Sequence, residues 1–232
     1  MTLQGKHILE TFNASLDSLQ GNLLMMASLA ERSLRNAMTG LLDRDDDLCN
    51  VVIADDEEID LLEKQVDLDG IELLRRFQPV ASDLRQIIAT IKLNGNLERV
   101  GDQAVNIAKR ARKLNRTAPL EEVHLVEPMF HEAITMLKDS LRAFTEHDME
   151  LARSIKPRDK KLDALNLEAS DKLTQMMAKS PDHIGEYINL LFIARYLERV
   201  GDHAKNISEE VVYAVSAEDI RHISAAAYQN TD

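Results

Sequence analysis

LERVGDQAVNI at residues 97–107 returns as LERVGDHAKNI at 197–207. Nine of the eleven positions are identical, at an offset of one hundred residues. A charged phrase with an internal glycine, written twice, marks an internal duplication. Pro79 in FQPVASDLRQI matches Pro181 in KSPDHIGEYIN, and DEEID (56–60) matches DKKLD (159–163). The chain therefore reads as two copies of one unit, over 5–116 and 120–216. The corresponding domains are 1–117 and 118–216, followed by a polar tail, 217–232.

Around each copy of the phrase the apolar residues follow a helical period. Leu93, Leu97, Val100, Ala104, Ile107, Ala111 and Leu114 form one seam. Leu190, Ile193, Leu197, Val200, Ala204, Ile207 and Val211 form the other. Alternating steps of three and four are the spacing of a coiled-coil-like contact. Leu16, Leu19, Leu23, Met26, Ala30 and Ala37 mark a long first helix. LLDRDDDL (41–48) breaks it, with Asp available to cap the next start. Val52, Ile59, Leu62, Val66 and Leu73 mark a second helix running to Phe77. QPVASD (78–83) is the next break, with Ser82 or Asp83 as the expected cap. The second copy repeats the plan at about 121–147, 149–179 and 183–215. No stretch alternates as a strand would. The expected fold is all-α: six long helices in two pseudo-symmetric antiparallel three-helix bundles.

Composition agrees. Eight glycines, five prolines and no Trp in 232 residues suit an all-helical protein. The single cysteine, Cys49, excludes an internal disulfide and is expected to be a buried thiol. No segment reaches the roughly 18 apolar residues of a membrane span, and MTLQGKHILE lacks the basic-then-apolar order of a signal peptide, so a cytoplasmic protein is expected. The net charge of −12 disfavours a general nucleic-acid binder and suits a protein that attracts cations or basic surfaces.

Within the phrase, Glu98, Asp102 and Asn106 lie at i, i+4 and i+8, roughly opposite the apolar seam, and Glu198, Asp202 and Asn206 repeat the line. Two like charges one turn apart repel unless something positive lies between them. Carboxylates of this kind suit a hard divalent cation or iron. The preceding helix offers Asp56, Asp60, Glu63 and Asp67; the aligned residues of the second copy are Asp159, Asp163, Asn166 and Ser170. The first half is therefore expected to bind metal more tightly. Gly101 and Gly201 would let the two helices approach. The alternative is that these acids are solvated faces, tied up by Arg99, Arg199, Lys64 and Arg85 in weak surface pairs. Lys109, Arg110, Arg112, Lys113 and Arg116 form a basic cluster that opposes the helix dipole or meets an anionic partner. His203 is expected in solvent, with a ligand role as the alternative. Glu121–His124 is a lone ExxH without the second copy a di-iron enzyme requires. No phosphate-cradling glycine loop and no catalytic triad are legible.

The doubled LERVGDxAxNI, the DxxxD before each copy and QPVASDLR between them resemble the PhoU family of phosphate-signalling regulators. The resemblance covers essentially the whole chain, including the tail EDIRHI (218–223). It implies two three-helix bundles and no enzymatic activity. It implies metal binding (Fe, Zn, Mg or Mn, with no organic cofactor) by Asp56–Asp60, Glu98–Asp102, Asp159–Asp163 and Glu198–Asp202. Glu63, Asn106 and Asn206 are possible additional ligands. Pro79, Asp83 and Arg85 are the implied partner-binding residues. The implied partners are the ATPase subunit of a phosphate ABC transporter and a sensor histidine kinase. The implied role is repression of the phosphate-starvation response, by a homodimer that reaches the membrane through its partners and binds no nucleic acid. The competing readings are a metal-dependent enzyme or store and a plain dimerisation module. Asn166 and Ser170 depart from the family pattern, as does Ala217 where relatives often carry glycine.

Overall fold

The computed structural model describes residues 3–221, with side chains from Leu9 onward. Helix α1 spans Leu3–Leu42, α2 Asp46–Ala54, α3 Asp56–Phe77 and α4 Ala81–Leu114. A 3-10 turn at Glu121–Val126 leads into α5, Glu127–Glu146. Helix α6 is Met149–Lys179, and a second 3-10 turn, Pro181–His183, precedes α7, Ile184–Ser216. No strand occurs among the described residues. The fold is all-α, as the periodicity predicts.

Both seams are core. Leu93, Leu97, Val100, Ala104, Ile107 and Ala111 of α4 are fully buried, as are Leu190, Ile193, Leu197, Val200, Ala204 and Ile207 of α7. Helices α4 and α7 pack along each other as the central pair; α1 and α3 cover α4, and α5 and α6 cover α7. The central pair runs antiparallel. Lys92 near one end of α4 pairs with Glu210 near the far end of α7 at 2.9 Å. At the other end Arg110 lies 4.0 Å from the ring centroid of Phe192 and donates to Asn189 Oδ1 at 3.1 Å. Positions 92 and 192, and 110 and 210, correspond in the two copies. One pseudo-twofold contact is thus an ion pair at one end and a cation–π contact at the other.

The helix ends differ in detail from the sequence expectation. Asp45 caps α2, accepting from Leu48 N–H at 2.9 Å, as the acidic break suggests. The expected second helix is interrupted at Asp55. Asp55 N–H still reaches Val51 C=O at 2.9 Å, but Glu58 N–H bonds Asp55 C=O, so the helix restarts with a tighter turn. The corresponding part of the second copy, around Pro157, stays inside the continuous α6. Neither Ser82 nor Asp83 caps α4. Val80, two residues before Ser82, is the extended N-cap without a side-chain hydrogen bond, and the chain enters the helix through Ala81 at φ 51°. Asp83 instead lies in the first turn, where it favours the helix dipole. Helix α5 begins six residues later than expected, since 121–126 form a 3-10 turn and Pro128 sits at the helix start. Cys49 is fully buried against Gly40, and burial pushes its thiol pKa up to about 11.

Candidate functional site

Each half carries a groove between the helix with DxxxD and the helix with ExxxD. In the first half these are α3 and α4. Gly101 forms the floor: a Cβ there would lie 3.0 Å from Ile59 Cδ1 and 3.8 Å from Asp56 Oδ1. Ile59, between the two aspartates of its own helix, packs into the space that the glycine leaves. In the second half Leu162, between Asp159 and Asp163, does the same against Gly201, where a Cβ would collide with Leu162 Cδ2. Gly201 is therefore a packing requirement of its groove and Gly101 a close fit, which sets packing against the cost of about 1 kcal/mol in helix propensity.

The acid lines do face each other, though less far from the core than expected. Glu98 is 16% exposed, at the edge of the buried seam and not opposite it. Burial first, then the charge of Asp102, pushes the Glu98 carboxyl up to about 7 against the pull of Arg99; Glu63 and Asp60 add to the rise. Burial also raises Asp56, helped by Asp60 and Asp102 and opposed by Lys109. Glu63 is raised by burial, Asp67 and Asp60. Arg99 reaches Glu98 Oε2 at 3.2 Å and Asp102 Oδ2 at 3.1 Å from the outer rim. Asn94 donates to Asp67 Oδ1 at 3.0 Å and to Glu63 C=O at 2.8 Å, tying the far end of the acid line to α4. Asn106 lies half-buried on the same helix.

The second groove is wired differently. Lys205 stands where the first copy has Val105. Its Nζ donates to Asp202 Oδ1 at 2.9 Å and, across the groove, to Asp159 Oδ2 at 2.5 Å. Arg195 pairs with Glu198 Oε1 at 3.0 Å, while Glu198 Oε2 is buried without a hydrogen-bond partner. Burial raises the carboxyls of Asp163 and Glu198. Asn206 does not join this groove: its Nδ2 donates to Asn96 Oδ1 at 3.3 Å, on α4 of the other half. His203 is likewise not in solvent. It is half-buried, Nδ1 contacts Asn96 Oδ1 at 3.1 Å, and burial lowers its pKa. The antiparallel crossing of α4 and α7 turns this part of α7 toward α4, which a linear reading misses.

All the donors in both grooves are oxygens, the kind a hard cation prefers. Among the described residues, however, no three His, Cys, Asp or Glu side chains converge closely enough to hold a metal ion. In the first groove the chemistry fits and the closure does not: the two helices' carboxylates would have to draw together. In the second groove an ammonium already lies between two of the carboxylates, where a metal ion would have to sit. The lone ExxH is a surface feature, with exposed His124 contacting Glu127 on the 3-10 turn.

The proline turn forms a second candidate site. Val80 is 74% exposed, Pro79 is half-buried and Asp83 is exposed. Gln78 and Ala81 both take left-handed backbone without being glycine, a conformation that carries strain. Arg85 donates its Nε to Ala214 C=O at 3.2 Å, so it anchors the turn to the last helical turn of α7.

Known proteins share this fold. A family model described as the PhoU domain matches twice, over residues 23–111 and 126–211, and each match contains one complete groove. A phosphate-specific transport system accessory protein PhoU homolog from Pseudomonas putida is 37% identical, over 94% of this chain and 85% of its own. A protein of the same description from Clostridium acetobutylicum is 33% identical, over 90% of this chain and 96% of its own. The crystal structure of PhoU from Pseudomonas aeruginosa aligns with a TM-score of 0.86 at 35% identity, covering 89% of this chain and 100% of that one. The phosphate transport system regulatory protein PhoU from Streptococcus pneumoniae aligns at 0.82 and 28%, covering 90% and 98%. With one domain matched at both grooves and relatives aligned along nearly its whole length, this chain belongs to the PhoU family.

Proposed function

We propose that this protein is a non-enzymatic regulator of phosphate uptake, working in the cytoplasm as a homodimer. It contacts the ATPase subunit of a phosphate-specific ABC transporter and a sensor histidine kinase, and represses the phosphate-starvation response when phosphate is plentiful. The observation that carries this reading is the 94% coverage by a relative whose name is that of a transport accessory protein. The proline turn supports it with an exposed apolar side chain on a strained, anchored loop. No described helix is long and apolar enough to cross a membrane, so membrane association would run through partners. The protein acts by binding one kinase state better than the other, because a regulator with equal affinity for both shifts nothing.

Deleting the gene in its host, with a phosphate-starvation reporter, tests the role. The reporter should switch on in phosphate-rich medium; a reporter that stays off contradicts the proposal. Capture of the ATPase subunit and kinase by the wild type, and weaker capture by Val80→Asp, would tie the role to the turn.

A second reading concerns the first groove. The carboxyls of Asp56 and Glu98 are raised by burial and then by neighbouring carboxylates, and the rise outweighs the pull of Lys109 and Arg99. We propose that Asp56, Asp60, Glu98 and Asp102 take up a hard cation such as Mn, Mg, Fe or Zn, with Glu63 in reach. Metal titration of Glu98→Gln should show weakened binding relative to wild type.

A further inference from the structure

Val105 in the first groove and Lys205 in the second are the difference that decides the charge between the helices. Lys205 follows Asp202 by three residues on α7, one helical turn along the same face. Its side chain is 22% exposed, and that of Asp159 is 18% exposed. From there the ammonium reaches one carboxylate on its own helix and one on α6, at 2.9 and 2.5 Å. A cation bridging carboxylates of two helices is what a groove-bound metal ion would be. The rest of the groove has moved the same way, since Asn166 and Ser170 stand in place of Glu63 and Asp67.

We propose that Lys205 is a tethered cation filling the position of a bound metal ion in the C-terminal groove, and that this groove is closed to metal. The proposal rests on reading the grooves as cation seats and is independent of the signalling role. It predicts that the metal capacity of the C-terminal half is latent in the carboxylates and blocked by one side chain.

The test counts Mn2+ bound per full-length chain, from the free-Mn2+ electron paramagnetic resonance signal at neutral pH. Lys205→Val should bind about one Mn2+ more than wild type, and the extra ion should vanish in Lys205→Val/Asp159→Asn. Asp159→Asn alone should leave the wild-type count unchanged. An unchanged count in Lys205→Val, or a lower count in Asp159→Asn alone, overturns the proposal. Lys205→Gln, which keeps a hydrogen-bonding chain but no charge, repeats the gain measurement if the valine variant does not fold. The same variants should melt at lower temperature in chelator and recover in Mn2+, a recovery that a purely packing role for Lys205 would not give. A wild-type count of zero removes the metal reading of the first groove, whereas the Lys205 proposal is still decided by the gain or its absence.

Discussion

The two grooves share a floor and differ in what neutralises their acids. In the first, Ile59 under Gly101 brings α3 and α4 together, and burial, then neighbouring carboxylates, raises the carboxyls of Asp56, Glu63 and Glu98 against the pull of Lys109 and Arg99. In the second, Leu162 under Gly201 does the same for α6 and α7, and Lys205 supplies a charge from inside the fold. The two halves share this floor, and the changes Val105 to Lys205, Glu63 to Asn166 and Asp67 to Ser170 set their electrostatics apart. The second groove has an internal cation for Asp159 and Asp202, while burial still raises its Asp163 and Glu198 carboxyls.

Breaking the Lys205 bridge should have the largest effect. Lys205→Met keeps the chain length but leaves Asp159 and Asp202 without their counter-ion. Discounting for the solvent that reaches both partners, a loss of about 2–3 kcal/mol is expected in denaturant unfolding. Val105→Met, its counterpart, should change stability far less.

Adding a methyl to each floor sharpens the steric side of the comparison. Gly201→Ala drives a Cβ into Leu162 and should cost about 1–2 kcal/mol net of its helix-propensity gain. Gly101→Ala meets Ile59 at 3.0 Å, which a small shift accommodates, so it should come out within about 1 kcal/mol of wild type. Equal costs would mean that the two floors are packed alike.

The charge stored in the first groove should appear as pH dependence. The Glu98 carboxyl is raised from 4.5 to about 7 in the fold, so between these values the folded state holds more protons than the unfolded one. Its contribution is therefore fully favourable below the lower value and is lost as pH rises through the higher one. The difference in stability between Glu98→Gln and wild type should widen toward the variant across that window, by about 1 kcal/mol after screening. A flat difference would show that Arg99 already neutralises the groove.

The smallest effect concerns how the two copies end. Helix α4 closes on Asn115 in ordinary helical geometry, whereas α7 closes on Ala217 at φ 62°, in the left-handed region that glycine adopts without strain. Ala217→Gly should raise stability by about 0.5–1 kcal/mol. The turn is thus made here by a non-glycine residue at the expense of strain. Arg153–Glu218 and the bond from Lys156 Nζ to Ile220 C=O hold the chain just beyond it. The last part of EDIRHI, residues 222–223, lies outside the described residues.

Much of this was legible in the chain itself. The 3.5-residue seams of Leu97 and Leu197 identify buried helix faces because a helix that repeats its apolar residues must bury them. The glycine inside the phrase signals close approach because nothing else justifies its cost in a helix. The break at Asp55, the 3-10 turn before α5 and the entry to α4 through Ala81 were not legible, since local periodicity is blind to a one-residue change of helical register. Lys205 was within reach: aligning the two phrases shows a valine replaced by a lysine three residues after an aspartate. That it spans to Asp159 depends on the approach of α6.

By itself the sequence determined the duplication, the helices, the apolar faces and the two lines of acids, because periodicity and side-chain chemistry are properties of each segment alone. Only the tertiary structure decided which acids meet a cation. It bridged Asp159 to Asp202 through Lys205, turned His203 and Asn206 away to Asn96, set Arg85 on the end of α7 and placed Glu98 between Asp102 and Arg99. Such pairings depend on how helices distant in sequence cross, and electrostatic energy is set by that distance.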